Sequence, residues 1–478
     1  WTSWLAAFRR GDWTRDHWYG ADVILHQQLL KSPHRELDPS KADFFFVPMH
    51  LSLGFYTHRY YFKHFTSVAA KPLREAIAYV RRTWPYFDRK GGADHLLVMS
   101  QDQGNRFVRD QLPELKNVIF IHHWGALRSV RVDGGAQGDH VQGHDITVPP
   151  FHGEQWRMSR YLPPKAKTGA PCKADAGEDC NAWNRPAIDR VALAAPLAEA
   201  SFKRVLFFSG KMNFNWGRHY SLGVRQAVYR AHRRHPDVLI MTFDKGVQEK
   251  LPLSMHVENY ASAKFCLAPA GYGFSSRQYE AVLVGCVPIV IQDGVEMAFE
   301  ETLPWERFSI RLNFSEIPAL PYILEMVPPH VVARMRRGLA CIWPRMVWLA
   351  QGLYRSAPPG NPDRLEDDAL MVEARPHDAF AYTMVALRRR LGVPEDVPWR
   401  APVSSCVVLP GDDDPFDLDL IRAKARTLAA ERMNEDARAV NAIISEWLAT
   451  GDDKTFAMRT RYFPSGVKPA GFLGAWTP

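Results

Sequence analysis

The chain has 478 residues, 46% of them hydrophobic, which is enough for packed cores and too long for a single ordinary domain. Its 60 Lys and Arg against 52 Asp and Glu leave a formal charge of +8, but the charges are dispersed, with only short runs such as Arg388 to Arg390. Nucleic-acid binding would need a concentrated basic stripe, and no apolar stretch reaches the roughly 18 to 20 residues that span a bilayer.

Taken in chain order, a first batch of compact apolar runs covers Phe44 to Pro48, Leu96 to Met99 and Val118 to Ile121, with a helical pattern over Lys71 to Arg82 between them. That is αβ alternation, the pattern of a parallel sheet with helical crossovers. From Gly134 to Arg190 the composition turns to Gly, Pro and charge, which predicts a linking or decorating segment. A second batch of buried-strand runs follows at Arg204 to Ser209, Val238 to Phe243, Phe265 to Leu267 and Val287 to Ile291, separated by helical segments near Ser221 to Arg234 and Ser275 to Val284. Val331 to Trp348 and Asp378 to Leu391 read as helices, and the tail after Pro394 carries an acidic turn and an amphipathic segment from Leu420 to Leu448. The expected organisation is an α/β N-terminal unit (residues 1–195), a second α/β unit (196–345), closing helices (346–393) and a C-terminal extension (394–478).

Six cysteines carry two readings. Cys172 and Cys180 flank a polar loop that suits a short disulfide-closed hairpin, whereas Cys266 and Cys286 are either small buried hydrophobes or a disulfide across neighbouring strands. Cys341 and Cys406 show no metal-ligand spacing. Asn313-Phe314-Ser315 is the only N-glycosylation sequon. The acidic turn with Asp412, Asp413, Asp414, Asp417 and Asp419 has the DxD spacing that can hold a divalent cation, but capping and dipole effects at a helix start explain it as well.

Polar chemistry is set most tightly into an αβ unit between Lys264 and Pro304, which reads as strand, glycine turn, helix and strand. Gly271 and Gly273 permit close approach of a ligand to the backbone, and a helix N-terminus following a parallel strand favours an anion. Ser275 could add a hydrogen bond. Arg277 and Glu280 stand three apart and share a helix face. Arg277 offers a planar fork of donors for a diphosphate and Glu280 a carboxylate for vicinal hydroxyls; the alternative is an i,i+3 salt bridge. The turn is neither GxGxxG nor GxxxxGK[ST], so neither a dinucleotide fold nor a P-loop is supported. Ser209 and Lys211 close the first strand of the second batch, and Lys211 or Arg225 could bring a second positive charge to the same anion.

Several blocks resemble, in order, the exostosin family of glycosyltransferases: GADVILHQQLLKSPHRELDPSKADFFFVPMH, DHLLVMSQDQG, HDITVPP, RVLFFSGKM, VRQAV, FCLAPAGYGFSSRQYEAVLVGCVPIVIQDGVEMAFEETLPW and DAFAYTMVALRRRL, spanning roughly residues 18–391. HHWGAL and GRHYSLGVRQ are most similar to the plant and algal branch that includes extensin arabinosyltransferases. Three features depart from the family: Gln101 replaces the usual His before Asp102, Gly271 stands where animal members carry Arg, and the tail after Pro394 has no counterpart.

The resemblance implies a GT-B type α/β fold with two facing Rossmann-like domains, C-terminal helices and an extra extension. It implies an inverting, metal-independent transfer of sugar from a UDP-sugar to a glycan or to a hydroxyproline-rich glycoprotein, with no cofactor beyond the donor. Gly271, Gly273, Ser275, Arg277, Glu280, Ser209, Lys211 and Arg225 would then hold the nucleotide sugar. Asp102 is the candidate general base, because inversion in one displacement needs a base on the acceptor side. His50, His122, His123 and Asp145 are candidates for binding acceptor; for any one histidine a buried or capping role competes. The family also implies the Golgi lumen and a type II membrane anchor ahead of Trp1, and leaves homo- or hetero-oligomers open. Two rivals accompany this reading: a catalytically inactive exostosin-like subunit that binds nucleotide or glycan and stabilises a partner, and a sugar phosphorylase, which would need a cofactor lysine and phosphate.

Overall fold

A computed structural model describes residues 20–52, 65–105, 108–109, 112–130, 138–151, 202–242, 244, 259–349, 369–393 and 397–451. Cys172, Cys180 and most of the Gly/Pro-rich middle lie outside the described residues.

Two parallel sheets organise the chain. The first has the order β1-β2-β3-β5, from β1 (Phe45–Phe46), β2 (His95–Met99), β3 (Ile119–His122) and β5 (Ile146–Thr147). Every residue of β2 and β3 is buried. Leu96 and Val98 join one apolar cluster while Leu97 and Met99 join another, as the two-residue side-chain period of a strand covered on both faces requires. Helix α1 (Ala21–Lys31) and helix α2 (Phe65–Thr83) complete this part; Ile24 of α1 packs in the first cluster and Leu73 and Ile77 of α2 in the second.

The second sheet has the order β11-β9-β8-β6-β7, all parallel, from β6 (Arg204–Ser209), β7 (Val238–Met241), β8 (Ala263–Pro269), β9 (Val287–Ile291) and β11 (Ile310–Arg311). The chain runs from β6 to β7 on one side, then crosses back to β8 on the other. This places a topological switch point between β6 and β8, where open α/β sheets form a crevice at their carboxyl ends. Helix α3 (Val224–His232) follows β6 and helix α4 (Arg277–Val284) follows β8. α4 ends on Gly285, left-handed at φ 75°, as a helix stop before a strand favours. The Cys266–Cys286 pair is a disulfide, joining β8 to the start of β9.

The carboxyl edges of the two sheets face one another. β4 (Gly125–Ala126), just past β3, pairs antiparallel with β10 (Val295–Glu296), just past β9. Phe299 N donates to Thr147 O at 2.9 Å, and a single apolar cluster runs from Leu96 and Ile121 through to Phe208, Leu267 and Ile289.

Helix α5 (Pro329–Ile342) gives way to a 3-10 turn at Trp343–Met346, so the helix expected to reach Trp348 stops short, at a turn containing Pro344. Helix α6 (Ala379–Arg390) is capped by Asp378, whose carboxylate accepts from Ala381 N and also from Gln28 of α1 and Leu349 N. At its other end Arg390 donates to the carbonyls of His144 and Asp145 and pairs with Glu301, so one guanidinium ties residues from both sheets together. The amphipathic tail is two helices, α7 (Leu418–Arg432) and α8 (Glu435–Thr450), broken where Asn434 caps the second. A disulfide between Cys341 and Cys406, unforeseen from spacing, staples this hairpin's approach to α5. Arg337 and Arg400 bind Asp412 and Asp413, and Asp417 caps α7, which accounts for the acidic turn. Among the described residues no helix is long and apolar enough to cross a membrane.

Candidate functional site

Four segments converge at the switch point: residues 209–225 after β6, 270–280 after β8, 100–105 after β2 and 122–126 after β3.

Arg225 knits the first two together. It is 5% exposed, and its guanidinium donates to Ala270 O (3.0 Å), Lys211 O (3.0 Å), Tyr220 Oη (2.9 Å) and Ser275 Oγ (3.3 Å). Burial, with the nearby Arg277 charge contributing further, lowers its pKa, while Tyr220 works in the opposite direction. Lys211 itself is exposed at the mouth of the site. Ser209 is fully buried and its Oγ has no hydrogen-bond partner.

Arg277 and Glu280 lie on one face of α4, as their spacing requires, and in this structure they pair with each other. Glu280 is 3% exposed; Oε1 accepts from Ser276 Oγ at 2.6 Å and Oε2 from Tyr260 Oη at 3.1 Å. Desolvation pulls the Arg277 pKa down, but the Glu280 carboxylate together with Tyr260 and Tyr220 more than offsets it and the net shift is upward. The Arg277 Nε is buried without a partner. A guanidinium paired with a carboxylate and a second guanidinium close enough to feel both charges therefore stand beside a helix N-terminus and an unpartnered hydroxyl. An anion entering there would relieve the mutual repulsion of Arg225 and Arg277 and meet donors already in place.

The two turn glycines act by close approach; neither has a positive φ. A Cβ on Gly273 would stand 1.8 Å from Asp102 O, and one on Gly271 would stand 2.6 Å from Phe274 O. Phe274 N donates to Asp102 O at 2.8 Å, and Gln103 Nε2 to Tyr272 O at 3.0 Å. Asp102, half-buried, is thus held against the loop that carries Ser275 and Arg277.

The histidines after the first sheet's strands are placed differently from one another. His50 is half-buried with its Nε2 3.1 Å from His26 Nδ1; burial, then the neighbouring imidazole, brings its pKa down to about 4. His123 is buried and meets the edge of Phe274 at 5.2 Å between ring centroids. His122 is fully buried, with Nε2 3.0 Å from His140 Nδ1, and burial lowers its pKa to about 3. His140 Nε2 in turn lies 3.3 Å from Glu296 Oε1 across the seam between the sheets.

Asp145 is inaccessible at 0% exposure. Its carboxylate accepts from Arg109 Nη1 (3.0 Å) and Nη2 (2.7 Å) and from the N–H groups of Phe120 (3.1 Å) and Val141 (2.9 Å). The expectation that it positions sugar hydroxyls meets a carboxylate whose acceptor sites are already filled inside the first sheet. Among the described residues His122, His140 and Asp145 bring ligand atoms within 4.8 Å of one another. A cation there would have to displace the buried Arg109, so the donor set suits a structural polar core better than a metal site.

Asn313, the sequon residue, is exposed, and its N–H is capped by Glu316 at 2.8 Å. Sequence reasoning missed Tyr260, Arg109, His140, Glu296 and Arg390. Their hydrogen-bond and ion-pair partners lie 20 to 246 residues away, except for the 18-residue separation of His122 and His140 and the 9 between Arg109 and Val118 O, and no short-range spacing marks such pairs.

The Exostosin GT47 domain family matches residues 3–168 and 184–327. Over 385 residues the chain is 27% identical to the probable beta-1,4-xylosyltransferase IRX10L of Arabidopsis thaliana, covering 79% of this chain and 76% of that protein. Over 390 residues it is 28% identical to a probable glucuronosyltransferase of Oryza sativa subsp. japonica, covering 80% and 76% respectively. A second Arabidopsis thaliana relative, the probable beta-1,4-xylosyltransferase IRX10, is 26% identical over 393 residues.

Proposed function

Since this chain belongs to the exostosin GT47 family and is a glycosyltransferase, we propose that it transfers a sugar from a UDP-sugar to a glycan hydroxyl by a single inverting displacement without a metal ion. The names of its relatives favour xylose or glucuronic acid over arabinose as the transferred sugar.

The diphosphate lies at the switch point between β6 and β8. Arg277 and the N–H groups at the start of α4 bind it, with Ser209 and Ser275 as hydroxyl donors, and Lys211 at the mouth. Arg225 contributes charge while its hydrogen bonds keep both loops in place. Glu280 orients Arg277, and on nucleotide binding offers the ribose an oxygen now held by Ser276 or Tyr260. Asp102 takes the proton of the acceptor hydroxyl as its oxygen bonds to the anomeric carbon. The bond from that carbon to the phosphate oxygen breaks, and the departing UDP carries the electron pair into a site where compensating charge is preorganised. His50 and His123 border the acceptor, neutral at working pH in the case of His50.

The observation that carries this reading is the contact between Gly273-Phe274 and Asp102, which sets the candidate base beside the anion-binding loop. The two-domain GT-B organisation, a Golgi-lumen location behind a membrane anchor and a glycan or glycoprotein acceptor complete the proposal. Its test is incubation of the purified chain with a panel of UDP-sugars and cell-wall oligosaccharides, without added phosphate or divalent metal, with product masses read directly. Growth of an acceptor by one sugar residue is the expected result. UDP binding with no transfer or hydrolysis of any donor would favour the inactive-subunit reading, and transfer that required free phosphate would favour the phosphorylase.

A further inference from the structure

A cavity of about 290 Å³ lies beside the switch point and is lined by Val130, Arg218, Leu222, Asp293, Phe314 and Trp447, among others. Its walls come from five places: the turn after β4, the turn after β9, the segment leading from β6 into α3, the 3-10 segment after β11 that begins with Phe314, and helix α8 of the C-terminal hairpin. The last of these lies outside the residues matched by the family.

The chain forming one wall departs from ordinary backbone geometry. Ser221 and Leu222 hold φ of 61° and 52°, and for a bulky residue such as Leu222 that conformation is an outlier. Strain of this kind persists where surrounding structure over-determines it, and it clusters at ligand sites. Here the restraints are visible. Ser221 N donates to Gly271 O at 2.6 Å, Gln226 Nε2 donates to Met212 O at 2.7 Å, and Arg218 stacks on Trp447 with its Cζ 3.7 Å from the ring centroid. Phe314 stands edge-on to Trp447 at 5.5 Å and under the same guanidinium at 5.0 Å. Stacking fixes the plane of the Arg218 fork.

The lining also indicates the chemistry of the occupant. Arg218 supplies donors only, and Asp293, whose two oxygens both lie 3.1 Å from Phe314 N, supplies acceptors only. Val130, Leu222, Phe314 and Trp447 supply apolar walls. An anion would be opposed by Asp293 and a cation by Arg218. A neutral sugar ring, with hydroxyls that both donate and accept around an apolar face, satisfies all of them at once. The strand of chain from Ser221 to Arg225 separates the cavity from the anion site, since Arg225 faces Ala270 and Ser275 on its other side.

The geometry points to a subsite for a neutral sugar residue of the acceptor glycan, away from the reacting hydroxyl, completed by Trp447 of the C-terminal hairpin. This rests on the glycosyltransferase reading above and adds to it a reason for the acceptor to be a chain. The test is calorimetric titration of the purified chain with β-1,4-xylohexaose, β-1,4-xylobiose and UDP, repeated for Asp293→Asn and Trp447→Ala. The hexaose should bind the unaltered chain at least tenfold more tightly than the biose, and each variant should lose that gain. Asp293→Asn is isosteric at an exposed position and keeps the test meaningful where Trp447→Ala fails to fold. Equal binding of hexaose and biose, hexaose binding unchanged in Asp293→Asn, or a loss confined to UDP would each overturn the subsite. A chain that shows the hexaose pattern but does not bind UDP would leave the subsite standing and remove the donor-site reading, so the two failures are distinguishable.

Discussion

The carboxyl edges of the two sheets are built from different chemistry. At the second, Arg277 pairs with Glu280 and Arg225 donates to Ser275 nearby, with an unpartnered buried hydroxyl and a helix N-terminus beside them. At the first, the ionisable groups are histidines kept neutral by burial and a carboxylate already consumed by Arg109. One edge is poised to receive charge; the other removes charge from its surface and leaves Asp102 as the half-buried acid of the β2 loop. A leaving diphosphate needs positive charge in place before it departs, whereas a neutral hydroxyl acceptor needs a base and shape.

The seam is the place to break this contrast with the largest effect. Gly273→Ala drives a Cβ to 1.8 Å from the Asp102 carbonyl, a backbone clash that rotamer changes cannot relieve. We expect a loss on the order of 4–5 kcal/mol, the upper end for one substitution, read as a fall in denaturation midpoint at unchanged m, together with loss of activity. An unfolding free energy within about 1 kcal/mol of the parent would mean that the two edges are not held as described.

Acid tests the first edge. The unfolded imidazole of His122 titrates near its ordinary 6.5 and the folded one near about 3, so below 6.5 the unfolded state binds more protons. The stability contribution is whole above pH 6.5 and disappears as pH falls through about 3, on the order of 5 kcal/mol over the whole range and about 3 kcal/mol of it above pH ~4, at 1.36 kcal/mol per pKa unit. His232, buried with its Nε2 2.6 Å from Ile317 O and lowered to about 4, acts with the same sign. Stability measured by urea unfolding from pH 7 to pH 4 should fall steadily, and His122→Gln should flatten the slope; parallel curves would contradict a neutral, buried His122.

The second edge is sharpened by Arg277→Ala, which removes a preorganised donor and should lower kcat/KM by roughly 10²- to 10³-fold. Assays at saturating acceptor separate this from acceptor effects. The smallest expected effect comes from Tyr260→Phe, which deletes one hydrogen bond to the Glu280 carboxylate. About 1.5 kcal/mol of stability should go with it, with a modest loss of UDP affinity; an unchanged affinity would confine Tyr260 to a packing role.

How much of this was legible beforehand follows from the range of each interaction. β6 and β9 match the expected Arg204 to Ser209 and Val287 to Ile291 because central parallel strands are continuous apolar runs. β4, β5, β10 and β11 span two residues each, too few for any period to register, although β4 and β10 make the seam. The Arg277–Glu280 face was readable from i,i+3 spacing, but Tyr260, which shares Glu280, stands before β8, outside the helix, and nothing local announces it. Asp145 was readable as a carboxylate past a strand, yet its fate was decided by Arg109, 36 residues earlier. The Cys341–Cys406 bond, its ends 65 positions apart, is of the same kind.

A diphosphate site in the crevice between β6 and β8 must draw its affinity from the phosphates rather than from the nucleoside. Calorimetric titration of the chain with UDP and with uridine tests it most directly, repeated for Arg277→Ala. UDP should bind at least 100-fold more tightly than uridine, by roughly the 2.7 kcal/mol that two decades of affinity represent, and Arg277→Ala should erase most of the difference. Equal affinity for UDP and uridine, or a UDP affinity indifferent to Arg277, would contradict it.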